Sequence, residues 1–111
     1  MSVSAEHEDL PVLEGYLGHT FSDRALLATA LRHRSYVNER APTQPDNERL
    51  EFLGDAVLQL AVTHLLMEGD GANLSEGTLS LLRSQMVSEA QLSRLAQQIE
   101  LERFLLLGRG E

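Results

Sequence analysis

Three acids raise the question of chemistry in this sequence. Glu48, Glu51 and Asp55 stand at i, i+3 and i+7, and on a helix that spacing brings all three within about 60° of one face. Leu50, Phe52, Leu53, Ala56 and Val57 are interleaved with them. Like charges gathered beside apolar residues are costly unless a cation compensates. For oxygen-only ligands the usual compensator is a divalent metal. The same acids have a plainer reading. Glu48 and Glu51 fall in the first turns of such a helix, where the macrodipole favours acids in any protein. That leaves Asp55, a poor helix former further along. It also leaves Gly54, which costs about 1 kcal/mol inside a helix relative to Ala. A glycine there suggests close approach by the backbone of another element.

The remaining candidates are weaker. Glu76 is the fourth residue of Asn73-Leu74-Ser75-Glu76, which has capping-box spacing, and that role alone accounts for an acid. His7, His19, His33 and His64 are scattered. His33 and His64 are conceivable ligands, though a histidine without a catalytic role is the commoner case for each. Ser35 and Tyr36 have no visible base partner, so nucleophilic catalysis has no support. Arg83, seven residues after Glu76, has two readings: it meets a phosphate or it pairs with an acid, and the second is commoner.

The elements that must position these residues read as helices throughout. Leu10, Leu13 and Leu17 recur at helical spacing, and Gly18 is placed to end that helix. Ser22 and Asp23 can cap a second helix through Leu26, Leu27, Ala30 and Leu31. Asn38, Pro42, Thr43 and Pro45 predict a loop from Val37 to Pro45. Asp46 then caps a helix from Asn47 to Glu68, about 33 Å long at the standard rise. That helix is apolar on most sides, so it is expected to be central and buried. Gly69, Asp70 and Gly71 end it. Asn73 to Glu76 starts a helix through Leu79, Leu82 and Met86, and Ser88 to Gln91 repeats the device before Leu92, Leu95 and Ile99. Strand-like alternation is absent, so the predicted fold class is all-α. Residues 1–9 read as a flexible tail and 10–111 as one domain.

Composition narrows the function. The chain of 111 residues is 42% hydrophobic, as expected of a folded domain. Its net charge is −8, and all nine basic residues are Arg. That balance argues against gripping nucleic acid by charge alone, yet it suits a metal site. With no cysteine, disulfides and thiolate metal sites are excluded. No apolar run approaches the ~20 residues of a membrane span, and Met1 to Asp9 lacks the order of a signal peptide. A cytoplasmic location without membrane association is expected.

The ten residues from Asn47 to Ala56, NERLEFLGDA, resemble the signature segment of the ribonuclease III family without a break. Leu13 to Phe21 resembles that family's first helix and turn. Ala30 to Tyr36, ALRHRSY, resembles its Ala-Leu-Thr-His-Arg-Ser-Tyr segment, with Arg32 in place of the usual Thr. Leu74 to Arg83 resembles the stretch that supplies a further acid. The likeness covers about residues 10–111.

The resemblance implies an all-α ribonuclease III endonuclease-domain helical bundle that hydrolyses double-stranded RNA with Mg²⁺, for which Mn²⁺ can substitute. It implies Glu51 and Asp55 as catalytic metal ligands, Glu48 and Glu76 as acids of the RNA cleft, and Phe52 with Glu48 at the junction of a homodimer. It implies no small-molecule cofactor. The family's domain continues past a Gly-rich loop, here beginning at Gly108, to a helix with another Asp and Glu. The chain therefore reads as the N-terminal part of the catalytic domain, truncated at its C-terminal end and without the double-stranded-RNA-binding domain. The alternative is a non-catalytic dimerisation or RNA-associated scaffold of the same fold. A third reading, a helical bundle with the acids as mere surface, expects no response to Mg²⁺.

Overall fold

A computed structural model describes residues 9–111. Most of the expected tail, Met1 to Glu8, lies outside the described residues. The described residues form seven helices in order: α1 (Leu10–Leu17), α2 (Arg24–Ala30), α3 (Arg34–Arg40), α4 (Glu48–Glu68), α5 (Glu76–Met86), α6 (Glu89–Gln98) and α7 (Leu101–Phe104). The described residues hold no strand, only an isolated parallel bridge between Arg32 and Leu106. The all-α expectation holds.

The chain divides into two compact units, residues 1–51 with 96–111, and residues 52–95. The first contains the core. Leu10 and Leu13 of α1, Leu27 and Ala28 of α2, Leu31 and Phe104 form one buried cluster, with Phe21, Leu101 and Leu105 packed against it. Gly18 ends α1 in the left-handed conformation at φ 70°, where glycine has no steric penalty. Asp23 caps α2 by accepting the Ala25 N–H at 3.0 Å. Glu14 is buried in this unit. It accepts the Phe21 N–H at 2.7 Å and Arg24 Nη2 at 3.0 Å, so it fastens the α1–α2 turn. The C-terminal segment runs beside residues 31–33: Leu106 N–H donates to the Leu31 carbonyl at 2.9 Å, and His33 N–H to the Leu106 carbonyl at 3.0 Å.

α3 takes the first four residues, 37–40, of the stretch 37–45 that the sequence predicted as loop. Asn38 reads as a breaker, but His33 caps the helix by accepting the Ser35 N–H, and Tyr36 and Val37 are buried. The true loop starts at Ala41. Asp46 accepts the Glu48 N–H at 3.0 Å as expected of a cap. Asn47 secures the start of α4, its N–H donating to the Arg32 carbonyl at 2.9 Å and its Nδ2 to the Ala30 carbonyl at 2.9 Å.

The second unit comprises α4 from Phe52, α5 and α6 as far as Leu95. Here the expectation of a central, buried helix fails. Along α4 only Val62 is buried, and Phe52 is 86% exposed. Leu53, Val57, Leu60 and Leu65 are exposed as well. A helix apolar on most sides needs cover on most sides, and the described chain supplies little. By length and composition α4 is long and apolar enough to cross a membrane, with a mean hydropathy of 1.4 in its most apolar window. Its first eight residues include Glu48, Arg49, Glu51 and Asp55, charges that are expensive in hydrocarbon. Gly54 also departs from expectation, because a Cβ there would meet nothing within 4 Å. Gly71, by contrast, is held close. A Cβ on it would come within 2.7 Å of the Leu66 carbonyl oxygen and 2.8 Å of Leu79, so the α4–α5 turn requires glycine. The cap of α5 is Ser75, which accepts the Thr78 N–H, not Asn73. Ser88 accepts the Gln91 N–H at 3.2 Å ahead of α6, as predicted.

Candidate active site

One uninterrupted helix carries Glu48, Glu51 and Asp55, so the spacing read from the sequence places them on one face as expected. All three are exposed. Glu48 has a partner the sequence did not reveal: Arg34 Nη1 donates to its Oε1 at 3.0 Å, with the two side chains 65% and 56% exposed. An exposed pair of this kind contributes little to stability, but it orients the carboxylate. Among the described residues the side chains of Glu51 and Asp55 make no hydrogen bond or ion pair, so their oxygens are available. Hard carboxylate oxygens one helical turn apart suit two positions in the oxygen shell of Mg²⁺ or Mn²⁺. Among the described residues no group of three or more His, Asp or Glu converges into a metal cage. The chain therefore fits such an ion as a partial ligand set.

Glu76 is the first residue of α5, not the fourth of a capping box. It lines a cavity of about 190 Å³ with Thr63, Ser80 and Arg83. Among the described residues Arg83 makes no ion pair. Its Nη1 donates to Thr63 Oγ1 at 2.9 Å.

Ser35 does have an imidazole neighbour, contrary to the sequence reading. Its Oγ lies 2.7 Å from His33 Nδ1 and accepts the Gly108 N–H at 2.8 Å. Since Nδ1 also accepts the Ser35 N–H at 3.1 Å, the hydroxyl is held between a cap and a chain crossing. It is a clamp for the C-terminal segment, and among the described residues no third group orients the pair for attack. Only the return of the chain at Gly108 exposes this role. His64 faces Glu68 at 3.1 Å on the exposed side of α4, and His19 packs edge-on against Phe21. His7 lies outside the described residues.

A family model described as Ribonuclease-III-like matches residues 23–111. The chain belongs to the ribonuclease-III-like family. It is 49% identical to ribonuclease 3 of Syntrophobacter fumaroxidans over 105 residues, 94% of this chain and 43% of that protein. It is 47% identical to ribonuclease 3 of Oceanobacillus iheyensis over 104 residues, 93% of this chain and 45% of that protein. The chain thus spans less than half the length of these relatives. Among solved structures, the 2.2 Å crystal structure of the nuclease domain of ribonuclease III from Campylobacter jejuni superposes with a TM-score of 0.79 at 38% identity. That match covers 94% of this chain and 67% of that one. A second structure of that nuclease domain, described for flexibility in a region involved in dimer formation, gives 0.77 at 40% identity, over 90% of this chain and 66% of that one. The fold is that of a ribonuclease III nuclease domain.

Proposed function

We propose that this ribonuclease-III-like chain carries part of the active site of a Mg²⁺-dependent endoribonuclease that cuts double-stranded RNA, working as a homodimer in the cytoplasm. The observation that carries the reading is the pair Glu51 and Asp55, one helical turn apart on an exposed face of α4, neither paired with a cation among the described residues. A bound Mg²⁺, or Mn²⁺ in its place, supplies water activation and stabilises charge on the leaving oxygen. The residues of the chain do the rest. Glu51 and Asp55 offer carboxylate oxygens. Arg34 restrains Glu48 at the start of the same helix. Glu76 lines the RNA cleft at the head of α5. Phe52, exposed next to Glu51, is the anchor for a second copy, and buried aromatics often dominate such interfaces. Duplex RNA is read mainly by shape and backbone, so little base specificity is expected.

Two carboxylates hold Mg²⁺ poorly without a fuller oxygen shell. The 111-residue chain alone is therefore expected not to cleave duplex RNA at ordinary Mg²⁺ concentrations. The test is a chimera in which this chain replaces the matching residues of the Syntrophobacter fumaroxidans relative. Cleavage of a long RNA duplex is expected, abolished by chelator and by Glu51→Ala or Asp55→Ala with helicity unchanged. A chimera that cuts equally well without either acid would refute the assignment. Folded but inactive parent chimera would favour the scaffold alternative.

A further inference from the structure

The second unit holds a cation that its acids leave alone. Residues 52–95 contain five carboxylates, Asp55, Glu68, Asp70, Glu76 and Glu89, and two guanidiniums, Arg83 and Arg94. None of the ion pairs among the described residues includes Arg83. It is half-buried, and its side chain is steered by a hydroxyl: Nη1 donates to Thr63 Oγ1 at 2.9 Å. Thr63 in turn donates to the Gln59 carbonyl at 2.7 Å, which fixes its oxygen as an acceptor for Arg83. A guanidinium has five N–H donors in a planar fork, and this contact occupies one. Arg83 lines a cavity of about 190 Å³ together with Ser80, Leu66 and Leu79.

We propose that this cavity is a phosphate subsite, in which Arg83 and Ser80 hold a backbone phosphate beside the one that is cut. The donor set is that of an oxyanion site, and the fork geometry matches phosphate. Glu76 also lines the cavity, and its carboxylate weakens anion binding there without cancelling the guanidinium, so free phosphate is expected to bind less tightly than a duplex that makes further contacts. Thr63 lies eight residues beyond Asp55 on α4, about 12 Å along the axis, too far for Arg83 and Asp55 to serve one phosphate through these anchors. The assignment to an RNA phosphate rests on the endoribonuclease reading; the oxyanion chemistry of the cavity does not.

The experiment separates the two. The Arg83 Nε–H signal of the 111-residue chain is followed by NMR during titration with inorganic phosphate and then with a short RNA duplex. Duplex affinity is measured across a salt series for the unaltered chain, Arg83→Gln and Arg83→Lys. Phosphate and duplex are both expected to shift the Arg83 signal. Arg83→Gln is expected to lower duplex affinity about tenfold and reduce the salt slope by about one, with Arg83→Lys between. Wild-type affinity and slope in Arg83→Gln overturn the subsite while leaving duplex binding itself intact. A signal moved by phosphate in a chain that binds no duplex sinks the RNA assignment and keeps the anion site. A signal moved by neither overturns the proposal outright. If Arg83→Gln loses helicity, Arg83→Lys and the titration of the unaltered chain decide.

Discussion

Glu14 shows how one side chain can tie the fold to pH. The Phe21 N–H, helped by Arg24, holds its carboxyl below the ordinary carboxylate range against the opposing effect of burial. A carboxyl with a lowered folded pKa contributes stability above its unfolded pKa and loses it as pH falls through the folded value. Glu14→Gln is therefore expected to lower the melting temperature at neutral pH and to flatten the acid limb of the stability profile below the usual carboxylate range. Parallel acid limbs for both proteins would show that Glu14 is not the linked group. Gly108 is constrained by space. A Cβ there would lie 2.0 Å from Glu39 Oε2 and 2.8 Å from the Ser35 carbonyl oxygen. The side chain can yield but the backbone cannot, so Gly108→Ala is expected to cost roughly 2 kcal/mol, read from chemical denaturation. Glu14 was not singled out from the sequence, and Gly108 was read only as the start of a Gly-rich loop. Asp23 and Ser88 were singled out, because a cap acts on the next two or three residues. Glu14 acts across the α1–α2 turn, and Gly108 meets Ser35 only after the chain has crossed most of its length.

Among the elements, α5 gives the sharpest contrast between pattern and outcome. Asn73 and Ser75 both stand where a cap is wanted, and spacing favoured Asn73. In the folded chain Ser75 takes the role and Glu76 becomes the first helical residue, where an acid suits the helix dipole. Ser75→Ala is expected to cost about 1 kcal/mol and Asn73→Ala much less. Equal losses in thermal melts would mean that the cap is shared. α3 shows the opposite failure, a helix hidden behind loop-forming residues. Its cap is a histidine, outside the usual set, and its buried Tyr36 and Val37 belong to a stretch too short for periodicity to register. α4 was legible almost to the residue, since 21 residues without proline, closed by Gly69, leave few alternatives. Its acids were legible for the same reason, spacing on one helix being a local property. The ion pair with Arg34 was not, because it depends on how α3 and the start of α4 meet.

At the scale of the whole molecule, helical class and family could be read directly, and burial could not. Hydrophobicity reports that a surface needs cover; it does not report where the cover comes from. The described residues form one buried cluster around α1, α2 and Phe104, and α4 is largely exposed. Exposed apolar surface of this kind marks an interaction face. If a second copy covers it, as the homodimer proposed above requires, folding and association are one equilibrium, and stability ceases to be a property of the single molecule. Each tenfold dilution then removes about 1.4 kcal/mol per mole of dimer. The melting temperature should climb with protein concentration, and Phe52→Ala should shift that whole series downward while far-UV helicity at high concentration stays near the parent's. A melting temperature indifferent to concentration would argue that α4 stays bare. In such a homodimer the exposed apolar face of α4 would turn abundance into a control: below some threshold of copies unpaired chains would be open to proteases, and above it the same sequence would be sheltered by its own kind.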